Sequence, residues 1–317
     1  MARYCNIPNV PPSVPYPAFE DTFSAFDDSA ICPQVEEFNN TIVGTVDCLH
    51  LNVYVPTAAS SRNVLPVLVW IYGGGLKWIA GRYIYGPKFL VRHDIILVTL
   101  NYRLGPYGFM CLDTPAAPGN QGLKDQQLAL RWVRDNIEAF GGDADKITIF
   151  GESAGSASVD FHLYQEQENL FQQAIMQSGT ILNPWVVTNP GNEGPLKLAE
   201  HLGVNTDDVS EALSFLATVE TKLVIAATIE LGLTFRPCLE NNFDDVVPFI
   251  TEHPINLPTT DLLTSEMVPA TRDRWNYLNI DSELTMESRP FNDRMAFLDL
   301  FYKMNENFQK GINQNDA

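Results

Sequence analysis

The sequence predicts an α/β fold in which a mostly parallel sheet carries helices on both faces, and three observations support it. Two apolar runs, 65–72 and 94–102, have the length and continuity of strands that are buried on both faces. A helical pattern over 123–140 separates them from a third, shorter strand at 146–150. Buried strands that alternate with helices indicate parallel strands joined by crossover helices.

The first regular element comes after an irregular N-terminal stretch. Residues 1–48 contain six prolines, which exclude long helices there because proline lacks the N–H donor and clashes with the preceding turn. Residues 49–55 alternate apolar and polar side chains, as a strand with one solvent-facing side does. The apolar run 65–72 then leads directly into three consecutive glycines.

Glycines delimit the central helix. Gly119-Asn120 precedes it, and Gly141-Gly142 stops it. The strand at 146–150 runs into Gly-Glu-Ser-Ala-Gly, and a further helix is predicted at 154–164. Beyond it the patterns predict one strand and three helices before a loop-rich stretch that starts after 232: the strand is 171–178, and the helices are 193–203, 208–217 and 220–231.

The charge and composition of the chain exclude several classes of function. Its 317 residues carry 39 acidic and 20 basic side chains, a net charge of −19, with no run of Lys or Arg. Nucleic acids and anionic membranes bind through clustered basic residues, so neither is an expected partner. No apolar stretch approaches the roughly 20 residues of a membrane helix. No His/Cys cluster or phosphate-binding glycine motif indicates a metal or nucleotide cofactor.

The five cysteines leave at least one unpaired within the chain. Cys32 and Cys48 are separated by a polar loop that suits a disulfide, although two buried thiols are the alternative. The same loop holds a glycosylation sequon at Asn39. Both features favour a secretory history.

The N-terminal residues lack the apolar core of a signal peptide, so the chain is expected to be cytoplasmic if it is complete.

A nucleophile motif follows the third buried strand. Residues 151–155 read Gly-Glu-Ser-Ala-Gly and fit G-x-S-x-G, in which a strained strand-to-helix turn exposes the serine hydroxyl above the sheet. The glycines are needed because bulky neighbours would clash at so tight a turn. A predicted strand precedes Ser153 and a predicted helix follows it, so Ser153 is the candidate nucleophile. The alternative is an ordinary Gly/Ser turn.

The glycine run at 73–75 is the candidate oxyanion site. It follows a buried strand and lies upstream of the elbow, and a bend free of side chains lets backbone N–H groups point into the site. Together with the N–H of Ala154, these groups would bind the oxyanion of an acyl-transfer intermediate. The alternative is a flexible glycine loop.

In order and spacing these motifs resemble the type-B carboxylesterases and cholinesterases of the α/β-hydrolase superfamily, especially the insect carboxylesterases. The resemblance is clearest between about 32 and 180 and weaker outside that range. The matching segments are Cys32-Pro33-Gln34, DCLHLNVY at 47–54, WIYGGG at 70–75, NYRLG at 101–105, GNQGLKDQQLALRWV at 119–133, FGGD at 140–143, the elbow with Phe150 before it, and Gln177-Ser178-Gly179.

The resemblance implies a carboxylesterase that hydrolyses small carboxylic esters without a cofactor. The implied nucleophile is Ser153, which would form an acyl-enzyme. The implied oxyanion donors are the N–H groups of Gly74, Gly75 and Ala154. The resemblance also supports a disulfide between Cys32 and Cys48 and suggests secretion, and it leaves the oligomeric state open.

Two positions depart from patterns within the family. Tyr72 stands where many carboxylesterases have His, although Tyr occurs there in cholinesterases. The loop between Cys32 and Cys48 encloses no tryptophan, whereas cholinesterases carry a cation-binding tryptophan there. The cholinesterase assignment is therefore the weaker of the two.

The rest of the catalytic triad is poorly marked. In α/β-hydrolases the acid and then the base follow the nucleophile in sequence. Glu283 is the nearest match to the family's acid, although both flanking glycines are absent and a surface acid is the alternative. All five histidines precede Glu283, and the resemblance puts the catalytic His beyond residue 317. We therefore expect one incomplete domain over 1–317 that lacks its C-terminal part and its general base.

Two functions from different classes remain open. A serine ester hydrolase is favoured by the elbow, and a non-catalytic binding or adhesion module on the same fold is favoured by the missing His. Several charged residues receive structural interpretations. Glu152 either tunes the site or is merely the variable position of the motif; Arg103 and Asp47 are framework residues near strand ends, and Asp125 and Asp135 lie on a solvated helix face.

Overall fold

The protein is described from a computed structural model of the 317-residue chain. The structure describes residues 13–17, 20–22, 24–26, 29–36, 40–78, 85–112, 114–164, 168–183, 186–244 and 246–252, and the backbone of two further strands at 276–280 and 284–288. The chain divides into two units, Met1–Leu257 and Pro258–Ala317. That residues 1–317 form a single domain stays a prediction.

A five-stranded sheet lies at the centre of the first unit. The sheet order is β3-β5-β4-β6-β7, with β5, β4, β6 and β7 parallel and β3 antiparallel to β5. The short strands β1 and β2 form a separate antiparallel hairpin. The predicted mostly parallel sheet is therefore confirmed. The seven strands are β1 Gln34–Glu36, β2 Thr41–Val43, β3 Leu51–Tyr54, β4 Leu65–Ile71, β5 Ile96–Leu100, β6 Gly142–Glu152 and β7 Gln173–Gln177.

The helices match the predicted segments to within a few residues at each end. Sequence patterns missed α1 and the β1–β2 hairpin, because these elements are too short to show a period. In the second unit, β8 and β9 pair antiparallel. The helices are α1 Gly105–Phe109, α2 Gln121–Asn136, α3 Ala154–Tyr164, α4 Glu193–His201, α5 Val209–Leu216 and α6 Thr221–Glu230, with 3₁₀ turns at Val91–His93 and Ile137–Phe140; the last strands are β8 Asn276–Ile280 and β9 Leu284–Ser288.

The central strands are buried because apolar side chains line both of their faces. Val67, Val69 and Ile71 of β4 have no exposed surface, and neither do Ile96 and Val98 of β5. Each such side chain contributes about 1.5–3 kcal/mol through removal of its surface from water. This burial explains why the sequence of both strands is continuously apolar rather than alternating.

Two helices pack side by side against this sheet. Gln126 of α2 donates to Ser158 Oγ of α3 at 3.2 Å, and its Oε1 lies 2.9 Å from His162 Nε2. Neighbouring strands β4 and β6 run parallel, with Ile71 paired with Gly151, so the chain leaves both at the same edge of the sheet. That edge holds the candidate site.

Within the part of the chain that the structure describes, no helix has both the length and the apolar character needed to span a bilayer.

Candidate active site

Ser153 forms the whole corner between a strand and a helix. β6 ends at Glu152 and α3 begins at Ala154, so a single residue turns the chain. Ser153 adopts φ 55°, in the left-handed region that costs a side chain roughly 1–2 kcal/mol. Its N–H donates to Gln177 O at 2.8 Å, and its carbonyl accepts from Ala157 N at 3.0 Å. These bonds hold a half-buried serine in a strained conformation.

Three glycines make room for this corner. A Cβ at Gly155 would overlap the carbonyl oxygen of Ile71, and a Cβ at Gly151 would lie 2.5 Å from the carbonyl carbon of Gly155. A Cβ at Gly179 would overlap the carbonyl oxygen of Ser153. Since the obstacles are backbone atoms, no side-chain rotation can relieve them, and the corner requires glycine at all three positions.

The triple-glycine bend follows β4 and packs against the corner. A Cβ at Gly73 would lie 3.2 Å from the Cβ of Ser153. Gly74 and Gly75 have φ values of 87° and 60°, both in the left-handed region that glycine tolerates. Trp78 N donates to the Gly74 carbonyl at 3.3 Å and closes the bend. A Cβ at Gly75 would meet nothing within 4 Å, so the last glycine of the bend faces open space.

Two stacked tyrosines anchor the strand ends beneath the bend. The Tyr102 hydroxyl donates to the Tyr72 carbonyl at 2.7 Å, and the Tyr72 hydroxyl donates to the Tyr102 carbonyl at 3.1 Å. Burial raises the pKa of both hydroxyls, so both remain protonated donors. Because a trans peptide points its N–H opposite to its carbonyl, the bond to the Tyr72 carbonyl also sets the direction of the Gly73 N–H.

The glycine bend and the start of α3 hold the candidate oxyanion donors. Among the described residues, the N–H groups of Gly74, Gly75 and Ala154 donate no hydrogen bond. Ala154 is the first residue of α3, where the helix dipole adds roughly half a positive charge. Such donors can stabilise an oxyanion that comes within roughly 2.7–3.1 Å of them.

The carboxylate of Glu152 flanks the bend. Its side chain is exposed, and a Cβ at Gly73 would lie 3.2 Å from its Oε2. Partial burial raises the pKa of this carboxyl. A group placed there can influence charge near the serine, and its role in tuning the site stays a hypothesis.

His162 lies on the helix that starts at the corner but far from the serine. It follows Ala154 by eight residues, which is about 12 Å along an α-helix. Its Nε2 lies 2.9 Å from Gln126 Oε1, and burial lowers its pKa to about 3. It is therefore a neutral core residue.

The other described histidines lie outside the corner that Ser153 forms. His50 precedes β3, and β5 and β4 lie between that strand and β6, a separation of about 14 Å at ordinary strand spacing. His93 is exposed and precedes β5, at the opposite edge of the sheet. His201 is exposed at the end of α4, with Nε2 2.8 Å from Glu230 Oε2.

The disulfide between Cys32 and Cys48 is confirmed, with Cα atoms 4.9 Å apart. The candidate acid Glu283, the candidate glycosylation site Asn39 and the fifth histidine, His253, lie outside the described residues.

A second disulfide joins Cys111 to Cys238 across 127 residues, and sequence reasoning missed it because no local pattern relates two such distant cysteines. Beside it the buried Glu240 accepts from Asn120 Nδ2 at 2.7 Å and pairs with Lys124 Nζ. The disulfide and the ion pair together tie the segment after α6 to the start of α2.

The prediction that Asp125 lies on a solvated helix face is wrong. Asp125 is buried, and both of its carboxylate oxygens accept from the guanidinium of the fully buried Arg103 at 2.7 Å. The sequence pattern of α2 hid this pairing because the partner precedes the helix by some twenty residues. Asp135, on the same helix, is exposed as predicted, and Arg103 is a framework residue.

The sheet topology and the strand–serine–helix corner define an α/β-hydrolase. A family model described as "Carboxylesterase family" matches residues 11–307, and the chain belongs to that family.

Its relatives are esterases from insects, mammals and nematodes. Venom carboxylesterase-6 of Apis mellifera is 36% identical over 258 residues, which are 78% of this chain and 46% of the relative. Bile salt-activated lipase of Bos taurus is 38% identical over 256 residues, 76% of this chain and 43% of the relative. Juvenile hormone esterase of Tribolium castaneum is 51% identical over 165 residues, 50% of this chain and 27% of the relative.

A solved structure of similar fold is juvenile hormone esterase from Manduca sexta with OTFP covalently attached. It has a TM-score of 0.72 and 30% sequence identity, and the match covers 80% of this chain and 51% of that one. The chain therefore spans less than half the length of the curated relatives named above and about half of this structure.

Among the described residues, no group of three His, Cys, Asp or Glu side chains could hold a metal ion.

Proposed function

We propose that this chain carries the nucleophile and the oxyanion site of a serine carboxylic ester hydrolase. The observation that carries the proposal is the strained Ser153, alone at the corner between β6 and α3 and in contact with the glycine bend. Strain of this kind persists where surrounding structure enforces it, and it clusters at active sites. Family membership and the covalent ligand of the Manduca sexta structure support the proposal.

The proposed reaction proceeds through an acyl-enzyme. Ser153 Oγ attacks the ester carbonyl carbon as a base removes its proton, and the carbonyl oxygen becomes an oxyanion. The N–H groups of Gly74, Gly75 and Ala154 stabilise that charge. The intermediate collapses, the alcohol leaves with a proton, and water then releases the acid and restores the serine.

The general base is the missing part of this mechanism. His50 and His162 lie well away from Ser153, and all five histidines precede Glu283, against the usual order of nucleophile, acid and base. We infer that none of the five histidines acts as the base for Ser153, and that Glu283 remains only a candidate acid. Loss of a triad member costs about 10⁴–10⁶ in kcat, so the chain by itself would turn over esters very slowly.

A second candidate function is a binding or adhesion module on the same fold, which would bind esters without hydrolysing them. The strain at Ser153 favours the hydrolase, since a binder has no need of it.

Labelling with a fluorophosphonate probe separates the two functions. The experiment measures the labelling rate of the full chain, of Ser153→Ala, and of Ser156→Ala as a matched control. Ser156 lies on the same helix, and its hydroxyl is already bonded to the Gly179 carbonyl at 2.7 Å. We expect slow labelling that Ser153→Ala abolishes and Ser156→Ala retains. Added imidazole should accelerate it, because a soluble base replaces the absent one.

Rapid labelling without imidazole would show that the chain holds its own base and would contradict the inference about the histidines. A folded chain that stays unlabelled at any imidazole concentration would contradict the hydrolase and favour the binder.

A further inference from the structure

Two tyrosines just after β4 and β5 hold each other's backbone. Their rings stack with centroids 4.4 Å apart, and both side chains are buried. The Tyr72 hydroxyl donates to the Tyr102 carbonyl at 3.1 Å and accepts from Tyr102 N at 3.4 Å. The Tyr102 hydroxyl donates to the Tyr72 carbonyl at 2.7 Å. The two hydroxyls therefore act on different segments: one on the chain after β5, the other on the peptide that enters the glycine bend.

The peptide that joins Tyr72 to Gly73 packs against the nucleophile corner. A Cβ at Gly155, in the first turn of α3, would lie 2.8 Å from both the carbonyl carbon and the carbonyl oxygen of Tyr72. A Cβ at Gly73 would lie 3.2 Å from the Cβ of Ser153. One peptide therefore contacts the start of α3, lies beside the serine and leads into the rest of the bend.

The glycine bend depends on this peptide for its position. β4 ends at Ile71, so the strand does not extend to the carbonyl of Tyr72. Gly74 and Gly75 have φ values of 87° and 60°, and they have no side chains with which to pack. Because a peptide is planar, the bond from the Tyr102 hydroxyl to the Tyr72 carbonyl fixes the direction in which the chain enters the bend.

We infer that Tyr102 is a positioning residue of the oxyanion site: its hydroxyl, acting through the Tyr72 carbonyl, holds the glycine bend in place beside Ser153. The inference rests on the proposed function, in which the bend donates to the oxyanion. Such donors act within roughly 2.7–3.1 Å of the charge, and a misplacement of about 1 Å costs on the order of 100-fold in rate. The Tyr72 hydroxyl bonds to the backbone of Tyr102 instead, so the rate should not depend on it.

A matched pair of hydroxyl deletions tests the inference. Tyr102→Phe and Tyr72→Phe each remove one buried hydroxyl and keep the ring in the stack. Fluorophosphonate labelling of the full chain in imidazole is measured against probe concentration, which separates probe binding from the covalent step. We expect Tyr102→Phe to slow the covalent step about tenfold or more, with the binding constant of the probe unchanged. Tyr72→Phe should label at the rate of the parent chain.

Two further measurements separate positioning from a general loss of structure. Urea unfolding should show similar shifts of the midpoint for both variants, since each loses one buried hydroxyl. In the chain labelled with ¹⁵N-glycine, Tyr102→Phe should shift the amide resonances of Gly73, Gly74 and Gly75 more than Tyr72→Phe does. The spectra report the position of the bend without any reaction at Ser153.

The outcomes distinguish this inference from the proposed function. Labelling of the parent chain that Ser153→Ala does not reduce would contradict the hydrolase. Labelling that depends on Ser153 but is equally fast in Tyr102→Phe would overturn the inference and leave the hydrolase standing. Equal losses of rate in the two phenylalanine variants, or glycine resonances that Tyr102→Phe leaves in place, would overturn it as well.

Discussion

The corners that follow β5 and β6 begin alike and serve opposite purposes. Each comes at the carboxyl end of a buried parallel strand, where ligand sites of α/β folds occur. At the first corner Arg103 is fully buried, and its guanidinium is bonded to Asp125. At the second corner Ser153 is half-buried and strained, beside backbone N–H groups without partners.

The difference shows that chemical reactivity of a residue type does not identify a site. Arg103 carries a charge, but its guanidinium is bonded to a buried carboxylate, so it stabilises the fold. The serine is a weak nucleophile in isolation, and in the proposed mechanism the N–H groups beside it are free to act on a substrate. Whether polar atoms have hydrogen-bond partners is therefore the better criterion for a functional site. Substitutions at each of the two corners can test it.

The largest effect is expected when the cation of the first corner, Arg103, is removed. Arg103→Met should lower the free energy of unfolding by about 3–5 kcal/mol, because it leaves Asp125 buried without its charge partner. Urea unfolding measures the change. Arg131→Met is the matched control: its ion pair with Glu168 is partly exposed, so it should cost about 1 kcal/mol or less.

The double variant Arg103→Met/Asp125→Leu should recover part of the loss, since no buried charge remains unpaired. Equal, small losses for Arg103→Met and Arg131→Met would mean that the buried pair contributes no more than the exposed one, and the interpretation of the first corner would be wrong.

A smaller effect is expected when a methyl group is added at Gly155, two residues after the serine. Gly155→Ala should cost about 3 kcal/mol, because its Cβ overlaps the Ile71 carbonyl although alanine favours a helix. It should also abolish fluorophosphonate labelling by displacing the corner. Gly75→Ala has open space around its Cβ and should cost only about 1 kcal/mol for its left-handed backbone.

Differential scanning calorimetry compares the two variants. A Gly155→Ala variant as stable as the parent chain would show that the corner can shift, and the argument from close packing would fail.

The smallest effect concerns pH and the far end of the helix that Ser153 begins. His162 has a pKa of about 3 in the folded chain against an ordinary value of 6.5, so the unfolded chain takes up the proton first as pH falls. Its contribution to stability is present above pH 6.5 and is lost progressively between about pH 6.5 and pH 3. Between pH 7.5 and 5 the loss should be about 2 kcal/mol.

Urea unfolding across this pH range gives the slope of the free energy of unfolding against pH. His162→Gln should flatten it, whereas His93→Gln, at an exposed position, should leave it unchanged. If His162→Gln leaves this slope unaltered, residues other than His162 cause the loss of stability in acid.

The sequence by itself determined the order of the longer strands and helices and the local shape of the corner. Both depend on neighbours in the chain: burial on two faces makes β4 and β5 continuously apolar, and a one-residue turn at Ser153 leaves no room for a Cβ at Gly151 or Gly155. The elbow and the glycine bend are therefore recognisable as motifs in the sequence alone.

Only the tertiary structure decided which distant groups meet. The pairing of Arg103 with Asp125 and the disulfide between Cys111 and Cys238 join segments that no local period relates. Charge and burial depend on what packing brings together in space, so a carboxylate expected in solvent lies in the core.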